Sequence, residues 1–175
     1  LLVVSRIVKR AERAAIAKQT VEITECGEYR SASGETVDIR EHVRTCLNGT
    51  QLLSPDELAG ILHQVQASPA IGEATSLELV NETTLAGIKR ILSANSSSVA
   101  ALNFASAKNP GGGFLSGSQA QEESLARSSA LHASLMTAWD FYEQHRSSPS
   151  LLYSDAMIVS PQCPVFRDDD GALLD

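Results

Sequence analysis

Val99-Ala100-Ala101-Leu102-Asn103-Phe104, running through Ala105-Ser106-Ala107-Lys108 into Asn109-Pro110-Gly111-Gly112-Gly113-Phe114, is the stretch that decides how this chain folds. Its first part is an apolar run short enough to be a buried strand. A glycine loop then leaves the end of that strand. Seven residues separate Gly113 from Gln121-Glu122-Glu123, which open the following helix. Glycines let a backbone approach a bulky, charged ligand with no Cβ in the way. The main-chain N–H groups from Gly111 to Phe114 are expected to face one concavity and to hold a diphosphate without a cation. The start of the next helix would add its own free N–H groups.

Around this centre the pattern is strand, helix, strand, loop, helix, strand. Leu77, Leu79 and Val80 suggest a first strand, and Thr83 or Thr84 caps a helix through Leu85, Ile88, Ile91 and Leu92. Asn95-Ser96-Ser97-Ser98 marks a turn before the central run. Ser118, with Gln121 as its capping-box partner, opens a long helix striped by Leu131, Leu135, Ala138 and Tyr142. Met157, Ile158 and Val159 form the last strand, and 167–171 an acidic turn. That order predicts an α/β fold, in which ligands sit at the carboxyl ends of the strands. Upstream, residues 5–20 have helical spacing, 28–39 form a hairpin with Tyr29 and Val37 either side of Ser33-Gly34, and Ser54-Pro55-Asp56-Glu57 starts a helix to about Gln66. Ser68-Pro69 and Gly72 mark a loop. The chain divides into an N-terminal helical and hairpin extension, 1–72, and a core, 73–175.

The glycine loop lacks the Gly-Lys-Ser/Thr of a triphosphate loop, and Ser116 spoils the dinucleotide fingerprint. A glycine turn alone is often only a turn, and Glu-Glu in a first helical turn is often a solvated pair favoured by the helix dipole. Their juxtaposition favours chemistry. An acid that protonates a leaving oxygen needs a pKa near the working pH. Adjacent carboxylates raise at least one of their pKa values, against the pull of the dipole. Glycosidases usually set two carboxylates about 5–9.5 Å apart across the bond. Neighbours on one helix do not straddle a sugar, so one carboxyl is expected to serve as acid and then base while the other holds the sugar.

Net charge is −7, which argues against a nucleic-acid groove held by general charge. The three cysteines, Cys26, Cys46 and Cys163, form no CxxC pair and suggest free thiols in a reducing, cytoplasmic compartment. No stretch approaches the roughly 20 apolar residues of a membrane span. His42, His63, His132 and His145 share no ligand spacing, so no metal and no cofactor are expected. Cys163 is expected to be structural, Trp139 and Tyr142 to be core, and Arg127 to pair with Glu123 one turn back. The first residue is not Met, which suggests a piece of something longer.

The run from Asn103 to Leu115, followed by Gln121-Glu122-Glu123-Ser124-Leu125-Ala126-Arg127-Ser128-Ser129, closely resembles the bacterial-type poly(ADP-ribose) glycohydrolases, a divergent branch of the macrodomain fold. The N-terminal helix, the hairpin and the 166–171 turn are also similar to that family. The resemblance implies a macrodomain-like mixed sheet flanked by helices. It implies Glu123 as catalytic acid and Glu122 as the partner of ribose hydroxyls. It further implies Gly111, Gly112 and Gly113 along the diphosphate, with Phe114 ending that loop, Asn103 on the distal ribose, and Gln121 in support. The implied reaction cuts ribose–ribose O-glycosidic bonds of poly(ADP-ribose), or of ADP-ribosylated proteins, and releases ADP-ribose. The alternative is a module that binds ADP-ribose without cutting. The family continues past the position of Asp175 with further strands, a second phosphate loop and an adenine-stacking aromatic. The C-terminal part of the fold is therefore expected to lie outside this chain, or to come from a second chain.

Overall fold

A computed structural model describes residues 9–69, 75–94, 98–150 and 152–175. The fold is mixed α/β, with helices carrying small antiparallel sheets. Helix α1, Arg10–Cys26, buries Ala17, Thr20 and Ile23 and stops at Gly27, whose left-handed φ of 74° suits a residue without Cβ. It runs past the expected end at Thr20, because packing of Ile23 outweighs the weak helix preference of the Val21–Thr24 segment's β-branched residues. Residues 5–8 of the expected helix lie outside the described residues. The hairpin forms as expected: β1, Glu28–Arg30, pairs antiparallel with β2, Thr36–Asp38, with Tyr29 opposite Val37.

Helix α2, Arg40–Gly49, and strand β3, Gln51–Leu53, were not foreseen. The signal for α2 was present: Ile39, Val43, Cys46 and Leu47 have helical spacing and face the core. Helix α3, Pro55–Ala67, begins as expected, with Ser54 and Glu57 closing a reciprocal capping box. Helix α4, Thr84–Ala94, is capped by Thr83, whose hydroxyl accepts from Ala86 N at 3.0 Å and donates to Asp169 at 2.7 Å. Part of the expected turns, Gly72 and 95–97, lies outside the described residues.

The two expected strands at 77–80 and 99–104 do not form. Ladder partners make a strand, and among the described residues neither segment has one. Leu77 and Leu79 are 99% exposed, and Leu102 and Phe104 are also exposed. The last expected strand does form: β4, Met157–Val159, pairs antiparallel with β3, Leu52 opposite Ile158.

The expected long helix is three shorter ones: α5, Gln121–Ser128; α6, Leu131–Thr137; α7, Trp139–Ser147. Ser129 is extended because it bridges to Val165, while Ala130 N donates to Pro164 O at 3.1 Å and Phe166 N to Ser128 O at 2.9 Å. These contacts, distant in sequence, displace the helical bonds there. Ala138 makes the second break. The Ser118–Gln121 capping box is absent, since Ala120 is the N-cap and the Gln121 side chain is engaged elsewhere.

Two apolar clusters carry the packing. One joins Ile23, Tyr29, Ile39 and Val43 to Ala130 and Phe166, and the other joins Ala17 to Phe114 and Ala126. Both draw on residues from either side of the 72/73 boundary. Buried Arg167 ties the acidic turn to α1, donating to Thr20 Oγ1 at 3.0 Å, Gln19 Oε1 at 2.7 Å and Gly171 O at 2.7 Å. Cys163 packs against the first cluster beside Cys46. No described helix is long and apolar enough to cross a membrane. Among the described residues no group of three or more His, Cys, Asp or Glu is placed to hold a metal ion.

Candidate active site

Helix α1 sets the floor of the site. Arg10 Nε donates to Ser116 O at 2.9 Å and Arg13 Nε to Gly117 O at 2.8 Å. Behind the loop, the Phe114 ring is buried against Ala17 and Ala126 and lies tilted against the His132 ring with centroids 4.8 Å apart. Burial holds the His132 imidazole below its ordinary pKa, which favours the neutral ring. The short 3-10 turn Phe114–Ser116 then delivers the chain to α5.

The first three side chains of α5 each fasten a different part of the 102–113 segment. Gln121 Oε1 accepts from Phe104 N at 2.8 Å, and its Nε2 donates to Leu102 O at 2.8 Å and Thr84 Oγ1 at 3.0 Å. One carboxamide thus does for residues 102 and 104 what a neighbouring strand would do. Glu122 is 4% exposed, and its Oε2 accepts from Ser106 N at 2.8 Å. Glu123 Oε1 accepts from Gly113 N at 3.0 Å. The expected site residues 103, 111–114 and 121–123 are therefore brought together.

Burial pushes the Glu122 carboxyl above its ordinary pKa, the main-chain N–H groups of Ser106 and Gly111 oppose this, and the Glu123 charge adds to it. Glu122 is also the more deeply buried of the neighbouring pair. Its Oε1 is buried and has no hydrogen-bond partner among the described residues, and the same holds for Asn103 Oδ1. Buried polar atoms are nearly always paired, so both mark places where a polar ligand or water belongs.

Gly112 has a left-handed φ of 58°, and a Cβ there would stand 2.5 Å from Glu123 Oε1 and 3.0 Å from Glu122 Oε2. Only glycine lets both carboxyls close onto the loop. The amides do not form the open concavity expected of them. Gly112 N donates to Asn109 O at 2.9 Å, Phe114 N to Gly111 O at 3.2 Å and Gly113 N to Glu123 at 3.0 Å. Tight turns and the Glu123 carboxylate occupy three of the four donors.

Arg127 does not make the expected pair with Glu123. Its buried guanidinium donates to Ser118 O at 2.6 Å and Gln119 Oε1 at 2.8 Å, fixing the approach to α5. Three contributors were missed: Ser106, Thr84 and Arg146, while Tyr142 is fully buried in the core as expected. Arg146 donates from Nε to Lys108 O at 2.6 Å and lies 4.6 Å from the Trp139 ring centroid, so α7 holds the start of the glycine loop. The seven-residue spacing of Trp139 and Arg146 on one helix was a legible hint. Trp139 is accordingly 39% exposed rather than core.

The model of the microbial-type PARG catalytic domain matches residues 17–168. No curated protein matches the chain. Among solved structures, the poly(ADP-ribose) glycohydrolase of Thermomonospora curvata superposes with a TM-score of 0.91 at 50% identity, covering 94% of this chain and 60% of that one. The same organism's enzyme bound to the inhibitor ADP-HPD gives 0.86 at 49% identity, over 94% and 58%. The poly(ADP-ribose) glycohydrolase of Deinococcus radiodurans in complex with ADP-ribose gives 0.67 at 42% identity, over 79% and 54%. This chain thus spans 54–60% of the length of these relatives. With the glycine loop closed by Gln121-Glu122-Glu123 and the family match running from α1 to the acidic turn, the chain belongs to the microbial-type poly(ADP-ribose) glycohydrolase catalytic-domain family.

Proposed function

We propose that the protein is an O-glycosyl hydrolase that cuts ribose–ribose bonds of poly(ADP-ribose), free or attached to proteins, and releases ADP-ribose. The observation that carries this reading is the Glu123 carboxyl held on Gly113 N at 3.0 Å, with Gly112 leaving both glutamates space to close onto the glycine loop. Glu123 protonates the ribose oxygen that leaves. The glycosidic C–O bond breaks toward an oxocarbenium-like species, and water attacks its anomeric carbon. The Glu123 carboxylate takes the proton of that water and is restored as the acid. Glu122, buried behind it, holds ribose hydroxyls through Oε1, and Asn103 meets the distal ribose through Oδ1.

Gly111, Gly112, Gly113 and the main chain of Phe114 flank the diphosphate. Because the amides of Gly112, Gly113 and Phe114 are engaged within the protein, the glycines serve first by lacking side chains, and an arriving phosphate competes with Glu123 for Gly113 N. Such competition frees the carboxyl when substrate is present. The relatives bound to ADP-HPD and to ADP-ribose support the ligand class.

One observation favours a second assignment of the acid: burial raises the pKa of Glu122, the property a proton donor needs. Glu122 is 4% exposed with Oε2 already held, whereas Glu123 is half-buried and can meet a linkage, so Glu123 is preferred. Release of ADP-ribose from labelled polymer by the full-length protein tests both. Glu123→Gln is expected to lower turnover by at least about 100-fold and leave ADP-ribose affinity near wild type. Glu122→Gln is expected to weaken binding as well. Full turnover by Glu123→Gln overturns the assigned acid. Polymer retained without release by the wild-type protein favours a binding module.

A further inference from the structure

We propose that Thr84 and Gln121 form a positioning pair for Asn103, fixing the main chain on both sides of it and so aiming Asn103 Oδ1 at a ribose. The proposal rests on the reading of Asn103 as a ribose partner. Asn103 Oδ1 is buried, and no described residue bonds to it. Its aim is therefore set by the main chain that carries it. Leu102 and Phe104 are exposed, and among the described residues no strand pairs with 99–104. What fixes the segment is local. Ala105 N donates to Asn103 O at 2.9 Å. The Gln121 carboxamide holds the flanking groups: Leu102 O accepts from Nε2 at 2.8 Å, and Phe104 N donates to Oε1 at 2.8 Å. These two groups bracket residue 103 as the peptide of a parallel neighbour would.

Both of those bonds run to one segment, so alone they let segment and carboxamide shift together. Thr84 Oγ1 supplies a third point, accepting from Gln121 Nε2 at 3.0 Å. It belongs to α4, a separate element whose start is set by Thr83, bonded to Ala86 N and Asp169. A primary amide has two N–H donors, and here both are used within the protein, on Leu102 O and Thr84 Oγ1. Gln121 therefore has no donor left for a phosphate or ribose oxygen, and it acts through Asn103. With residues 102 and 104 held, Asn103 meets the sugar in one preset orientation, which removes an ordering cost from binding.

Thr84→Val removes the hydroxyl, keeps the shape of the side chain and leaves the Thr83 cap in place. In the full-length protein it is expected to speed hydrogen exchange at the Phe104 amide about three- to ten-fold by NMR. The Ser106 amide, held by Glu122, should change little. Unmoved exchange at Phe104, or equal acceleration at both amides, overturns the proposal. Calorimetric titration with ADP-ribose is the second arm. Thr84→Val is expected to weaken binding about three- to ten-fold, and Thr84→Ser, which keeps the hydroxyl, to recover the affinity. Added to Asn103→Ala, Thr84→Val should cost nothing further. Losses that multiply overturn the proposal, and so does a Thr84→Val variant that melts earlier but binds ADP-ribose as wild type does. If the wild-type protein fails to bind ADP-ribose, the functional reading falls by itself, and exchange at Phe104 still decides whether the pair holds residue 103.

Discussion

Gly112 shows how far one missing side chain can organise a site. Its backbone is left-handed, and the space a Cβ would take is filled by oxygens of both glutamates, at 2.5 Å and 3.0 Å. An alanine there meets two penalties at once. The left-handed conformation costs about 1–2 kcal/mol for a residue with Cβ. The Glu123 carboxyl must also withdraw from Gly113 N. Gly112→Ala is therefore expected to lower stability by about 1–3 kcal/mol in denaturant titration and to abolish polymer cleavage. Wild-type turnover in that variant would show that the carboxyls need not close on the loop. Gly34, by contrast, has nothing within 4 Å of its added Cβ, so its substitution tests conformation alone.

Among the elements, α3 and α5 are held in opposite ways. Helix α3 has no buried residue, and Ile61, Leu62 and Val65 are exposed on it. Its start rests on the Ser54–Glu57 capping box. Ser54→Ala is expected to raise amide hydrogen exchange in the first turns of α3 about five-fold, with the global melting temperature little changed. No change across α3 would assign its stability to tertiary contacts instead. Helix α5 is short and nearly every residue of it has a task beyond the helix: Gln121, Glu122 and Glu123 point to the loop, Arg127 to its approach, and Ala126 to the core. The spacing of Gly111-Gly112-Gly113 and Gln121-Glu122-Glu123 made the meeting of loop and helix legible. It did not make legible which donor each side chain would take, because Ser106 N and Phe104 N carry no side-chain signature. The apolar runs at 77–80 and 99–104 misled for a related reason. Strand preference is a preference for having neighbours, and no described segment pairs with them.

At the scale of the molecule, Phe166 links the parts. It is 1% exposed, lies 5.8 Å from Tyr29 between ring centroids, donates its main-chain N–H to Ser128 O and accepts from Leu174 N. Phe166→Ala is expected to cost about 3–5 kcal/mol. The hairpin and the segment around Ser129 should lose hydrogen-exchange protection together, because one cluster spans them. Independent loss in the two regions would mean they fold as separate units.

The amino-acid sequence alone determined the family, the hairpin with Tyr29 opposite Val37, the starts of α3 and α4, the last strand, and the pairing of a glycine loop with two glutamates. These depend on local chemistry: caps, turns, and residues that only one backbone shape accepts. Tertiary structure alone decided where the long helical pattern breaks, which amides the carboxyls take, and which of the two glutamates is buried. Those outcomes come from competition between helical bonds or solvent and partners distant along the chain, such as Val165 against Ser129, and such competition leaves no mark on the residues next in sequence.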